Sequence, residues 1–130
     1  MSPDLRRTRG SIGERIAAEH LAEAGYEIVD RNWRDGRRGE LDLIAADDTA
    51  IVFCEVKTRV AGGSSGPPLA LDAVGPAKRR RLRRLAMAWL RERRDELGAP
   101  RRERLRFDAI GITISPGGRV LSLDHVVDAF

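Results

Sequence analysis

The sequence predicts an α/β fold, a central mixed β-sheet of about five strands flanked by α-helices in αβββαββ order. Three observations carry that expectation. Residues 9–24 and 76–97 space their apolar side chains at helical intervals. Five runs rich in β-branched and apolar residues stand around them, bounded by turn-forming residues. A helix between the third and fourth runs permits a crossover, so the sheet is expected to be mixed with one helix on each face. The chain has 130 residues, which fits one domain over 1–130 large enough to bury a real core.

Each element has a local reason. In the first helix Ile12, Ile16 and Leu21, with Ala17 and Ala24, form one broad face, and Gly25 ends it. Ser11-Ile12-Gly13-Glu14 has the form of a capping box. Tyr26 to Trp33 reads as a strand leading into the turn Arg34–Gly39. Glu40–Ala46 and Ala50–Val60 read as a hairpin around Asp47-Asp48-Thr49. Residues 61–68, rich in glycine, serine and proline, read as a mobile loop placed to close over a substrate. Pro76 suits the first turn of the second helix, in which Leu82, Leu85, Ala86 and Trp89 form the buried stripe. Gly98-Ala99-Pro100 breaks that helix, and Leu105–Ile114 and Arg119–Val127 form a last strand pair around Ser115–Gly118.

Composition narrows the function classes. The chain is 42% apolar and 34% charged, as a soluble globular protein is. Its single cysteine, Cys54, forms neither an intramolecular disulfide nor a cysteine zinc site, and no apolar run is long enough to span a membrane. A cytoplasmic protein is expected. The formal charge of +4 conceals an asymmetry: residues 76–106 carry a net +9 and the other residues a net −5. A basic segment beside an acidic remainder suggests an anionic partner, of which nucleic acid is the commonest, against the plainer reading of a solvated arginine face. Of 24 basic residues only Lys57 and Lys78 are lysines.

The hairpin carries the candidate chemistry. Period-two alternation places Ile51, Phe53, Glu55 and Lys57 on one face and Val52, Cys54, Val56 and Thr58 on the other. A turn centred between Asp48 and Thr49 pairs Ala46 with Ile51, Ile44 with Phe53, Asp42 with Glu55, and Glu40 with Lys57. Asp42 and Glu55 then repel each other unless a cation lies between them, and hard oxygen ligands suit Mg²⁺ or Mn²⁺. Lys57 stands beside anything such a cation holds, and a phosphodiester is the natural substrate. A structural ion-pair cluster is the alternative.

Gly39-Glu40-Leu41-Asp42-Leu43-Ile44-Ala45, followed by Val52-Phe53-Cys54-Glu55-Val56-Lys57-Thr58-Arg59, resembles the divided Asp…Glu-x-Lys motif of the PD-(D/E)XK nuclease superfamily. With Gly13-Glu14, Ala17, Gly25-Tyr26, Arg31-Asn32, Arg34, Lys78, Leu82 and Arg106-Phe107-Asp108, the chain is similar to the YraN family. These are small bacterial proteins predicted to be endonucleases related to archaeal Holliday junction resolvases. The resemblance implies a restriction-endonuclease-like fold and a metal bound by Asp42, Glu55, the carbonyl of Val56, and Glu14. It implies that Lys57 positions water or stabilises the transition state, with Asp42 and Glu55 as its catalytic partners. Leu41 stands where the superfamily label has proline.

The expected activity is metal-dependent cleavage of DNA, with branched DNA suggested by the relatives and a homodimer needed to cut two strands symmetrically. The rival is a non-catalytic nucleic-acid-binding or partner-binding module on the same fold. Lys78 either snorkels to solvent or approaches the phosphate; Arg34, Arg37 and Arg38 are solvated or grip phosphates. Arg59, Arg80 and Arg84, with the other arginines of 76–97 and of 101–106, would hold the nucleic-acid backbone. Cys54, Trp33 and Trp89 read as core residues, and His20 and His125 as structural residues without a partner at ligand spacing.

Overall fold

The computed structural model describes residues 3–62, 75–97 and 104–130, with only the backbone described for 3–9 and 94–97. Most of the expected 61–68 loop and residues 98–103 therefore lie outside the described residues. The elements are α1 (Pro3–Glu23), β1 (Glu27–Arg34), β2 (Glu40–Ala46), β3 (Ala50–Val60), α2 (Pro76–Leu97), β4 (Arg104–Ile114) and β5 (Val120–Val126). The strands form one sheet in sequence order. β3 and β4 run parallel, joined through α2, and the other neighbours pair antiparallel. This is the mixed α/β architecture expected.

The two helices cover opposite faces. Ala17, Ala18 and Leu21 of α1 pack on Leu43, Ala45, Val52, Cys54, Ile110 and Ile112. Leu82, Leu85, Ala86 and Trp89 of α2 pack on Leu41, Ile44, Ile51, Phe53 and Phe107. Each buried Leu, Ile, Val or Phe side chain among these contributes about 1.5–3 kcal/mol. The Trp89 indole N–H donates to Asp30 Oδ2 at 3.0 Å, which ties α2 to β1.

Two expectations about α1 are corrected. The helix begins at Pro3, so the Ser11 amide lies inside it and needs no cap from Glu14. Ala24 is exposed rather than part of the face. The stop is as expected: Gly25 adopts φ +96°, and the Tyr26 amide reaches back to the Leu21 carbonyl at 2.9 Å.

The β2–β3 register matches the expected one, with Ala46 opposite Ile51, Ala45 opposite Val52, Ile44 opposite Phe53, and Leu43 opposite Cys54. The ladder ends there. At the next position the Val56 amide donates to the Asp42 carboxylate (Oδ2) at 2.8 Å, so a side chain replaces a backbone partner.

That substitution accompanies a reversal of facing. Alternation should place Leu41 and Leu43 on one side, yet Leu43 lies in the α1 core and Leu41 in the α2 core. The same reversal occurs in β1. Asp30 bonds to Trp89 and Trp33 packs in the α2 core, whereas Asn32 lies near Glu14 of α1. Asn32 lies between the Arg31–Leu43 and Trp33–Leu41 pairs, level with Asp42, and has φ +49°. Both strands therefore turn over at one rung.

Candidate functional site

The overturned rung gathers acids. One carboxylate oxygen each from Glu14, Glu40 and Asp42 lies within 4.8 Å of the others. Glu14 comes from α1, and the other two come from β2. Asp42 also stays close to Glu55, whose charge acts on it more strongly than that of Glu14 or Glu40, although the backbone ladder between their strands stops at Leu43. Glu55 stays on the α2 side, where its Oε1 lies 3.0 Å from Lys78 Nζ and 3.9 Å from Lys57 Nζ. The expected Glu40–Lys57 pair is corrected: Glu40 meets Arg34 at 3.2 Å, its cross-strand neighbour in β1.

Electrostatics follow from this crowding. Burial, and then the charge of Glu55, push the Asp42 carboxyl up to about 7, against the opposing bond from the Val56 amide. Glu14 and Glu40 push in the same direction as Glu55. Glu14 is itself raised, first by burial and also by Glu40, while the Asn32 side chain opposes the rise. Three carboxylates sharing a half-buried volume disfavour full ionisation unless a cation joins them. Oxygen-only donors at this spacing fit Mg²⁺ or Mn²⁺ rather than a soft metal.

Glu14 reaches the group because α1 touches β3 at a glycine. A Cβ on Gly13 would fall on Thr58 Oγ1 and stand 3.0 Å from Thr58 Cβ. Thr58 is β-branched and stiff at χ1, so α1 would have to lift off the strand. In a free helix glycine-to-alanine stabilises by about 1 kcal/mol; overpacking costs about 1–3 kcal/mol and wins here. Gly13→Ala is therefore expected to lower the urea midpoint, and adding Thr58→Gly should recover much of the loss relative to Thr58→Gly alone.

The remaining expected residues are placed as follows. Arg37, Arg38, Arg80 and Arg84 are exposed, and Arg38 stands 3.9 Å from Asp35. Arg59 is half-buried in β3. Arg34 is exposed but engaged with Glu40. The turn bearing Arg34, Arg37 and Arg38 approaches α2, since Gly39 packs beside Leu85 and Arg81. Cys54 is buried in the α1 core, where burial pushes its thiol far up and leaves it inert. Among the described residues no helix is long and apolar enough to cross a membrane.

Sequence reasoning missed two things. Glu40 joins the acidic group, which strict alternation from Asp42 could have signalled. His20 and His125 are partners of each other at 3.0 Å across 105 residues, and His125 continues to Asp108 at 2.8 Å.

Fold and site together define an α/β protein with a carboxylate group at an overturned rung of its sheet, beside a lysine-flanked glutamate. The chain belongs to UPF0102, an uncharacterised protein family whose model matches residues 13–112. It is 47% identical to a UPF0102 protein of Rhodococcus opacus (strain B4) over 121 residues, covering 93% of this chain and 94% of that protein. A UPF0102 protein of Streptomyces griseus is 46% identical over 115 residues, covering 88% and 90%. One of Mycobacterium avium is 46% identical over 120 residues, covering 88% and 86%. The family match begins at Gly13 and spans Asn32, Asp42, Glu55, Lys57 and Lys78.

Proposed function

We propose that this protein is a Mg²⁺- or Mn²⁺-dependent endonuclease that hydrolyses DNA phosphodiester bonds. The observation that carries the reading is the convergence of Glu14, Glu40 and Asp42, with Glu55 held between Lys57 and Lys78 alongside. Glu14, Glu40 and Asp42 would hold the ion, joined by Glu55 and the Val56 carbonyl as the nuclease resemblance implies. A bound divalent ion supplies a Lewis acid for the phosphoryl oxygen and a water of lowered pKa.

The protein's own groups do the rest. Lys57 brings an exposed ammonium to 3.9 Å from Glu55, where it stabilises negative charge developing on a phosphate. Lys78 orients Glu55 through their 3.0 Å contact. The Val56 amide fixes one Asp42 oxygen, Oδ2, at 2.8 Å. Arg37, Arg38, Arg59, Arg80 and Arg84, with Arg34 and Lys78, meet the DNA backbone, which gives affinity without sequence specificity. Cutting branched DNA on two strands would call on a homodimer.

The test is cleavage of branched and single-stranded DNA with Mg²⁺ or Mn²⁺ by the wild type, Asp42→Ala and Lys57→Ala. Wild-type cleavage is expected to fall by about 100-fold or more in each variant, while salt-sensitive DNA binding persists. DNA binding by all three proteins with no cutting by the wild type would refute the enzyme reading in favour of a binding module.

A further inference from the structure

The acidic group exists because one rung of the sheet is turned over, and Asn32 stands at that rung. It is one of two non-glycine residues with positive φ among the described residues, the other being Asp128 beyond β5. A left-handed residue inside a strand interrupts the alternation of faces, and asparagine tolerates that conformation better than most L-residues. On the β1 side the interruption places Arg31 and Asn32 level with Leu43 and Asp42, before Trp33 and Leu41 return to the α2 core. From this position the Asn32 side chain comes close enough to Glu14 of α1 to favour its carboxylate form. One residue thus acts on two members of the group, through its backbone on the rung that carries Asp42 and through its amide on Glu14.

We infer that Asn32 is the positioning residue of the cation site, its left-handed backbone turning the Asp42 rung toward α1 and its side-chain amide orienting Glu14. The inference rests on the proposed metal site. Strain of this kind persists where surrounding structure enforces it and tends to gather at functional sites. Groups that orient metal ligands from behind typically change metal affinity by about 10–100-fold when lost.

The two contributions separate by substitution. Asn32→Gly keeps the backbone freedom and removes the amide; Asn32→Val removes the amide and resists positive φ as well. Mn²⁺ binding to the full chain, followed by electron paramagnetic resonance, is expected to weaken about tenfold in Asn32→Gly and further in Asn32→Val, if that variant folds. Unchanged Mn²⁺ affinity in a folded Asn32→Gly protein would overturn the inference, whatever its melting temperature. A metal-free measurement separates this from the metal reading itself. Nuclear Overhauser contacts from the Asn32 side-chain amide to the Glu14 side chain are expected in the wild type. If the wild type binds no Mn²⁺ but shows those contacts, the metal reading falls and the positioning of Glu14 by Asn32 stands. If the contacts are absent from the folded wild type, the inference falls.

Discussion

Asp42→Asn is expected to raise the stability of the metal-free protein at pH 8 while abolishing its response to Mn²⁺. The Asp42 carboxyl is raised from 3.8 to about 7, chiefly by burial and then by the charge of Glu55. A group with a raised folded pKa binds more protons folded than unfolded between those limits. Its contribution is intact below about pH 4 and is lost as pH rises through about 7. A shift of that size corresponds to roughly 4 kcal/mol, an upper figure for one partly solvated group. Asparagine has nearly the same shape, stays neutral, and can accept the Val56 amide bond through its carbonyl oxygen. The expected outcome is a melting temperature that falls from pH 5 to pH 8 in the wild type and falls much less in Asp42→Asn. Saturating Mn²⁺ should stabilise the wild type at pH 8 by mass action and leave the variant unmoved. A wild-type curve flat over this range would remove the electrostatic argument for a cation at this site.

The same rung marks the boundary of what the sequence discloses. β2 and β3 have their expected bounds, and their register follows from centring the turn between Asp48 and Thr49. Both are local: apolar alternation and a short connection suffice to determine them. The helix faces were legible for the same reason, through Leu82, Leu85 and Trp89 in α2 and Ala17 and Leu21 in α1. What failed was alternation carried past Leu43. The reversal depends on pairing with β1 and on a left-handed asparagine, and nothing in Leu41-Asp42-Leu43 alone announces either. Asp42, Glu55, Lys57, Glu14 and Lys78 could therefore be named as chemistry-bearing residues, and the closeness of Glu55 to both Asp42 and Lys57 was legible from the hairpin. The contact of Lys78 with Glu55 was not, since α2 delivers it from another element. Arg34 reads from the sequence as solvated or gripping a phosphate, yet its cross-strand neighbour Glu40 engages it. The contacts joining His20, His125 and Asp108 had no local sequence signal, since three separate elements deliver them.

Those partners set the other large effect. Asp108 is fully buried in β4 and accepts from Arg106 through both oxygens, Nε to Oδ1 and Nη2 to Oδ2, each at 2.9 Å. The Asp128 amide and His125 complete its shell at 2.9 and 2.8 Å, and Arg106 Nη2 also donates to the Tyr26 hydroxyl at 2.6 Å. Burial would raise the Asp108 carboxyl, but Arg106, the Asp128 amide and His125 outweigh it and hold it below the usual range. Its contribution is therefore present above about pH 4 and lost as pH falls below that. His20 is lowered by burial and by His125, so its contribution is present above its ordinary pKa of 6.5 and declines in acid. Asp108→Ala leaves the nearly buried guanidinium of Arg106 without a counter-charge and is expected to cost about 3–5 kcal/mol. At this chain length that corresponds to a drop in melting temperature of roughly 10 °C or more. The double change Arg106→Met with Asp108→Leu removes both charges together and should recover most of the loss, because a well-packed apolar pair often matches a buried ion pair. Thermal unfolding of the two proteins at pH 7.5 decides it: if Asp108→Ala melts with the wild type, the network contributes nothing to holding α1, β4 and β5 together.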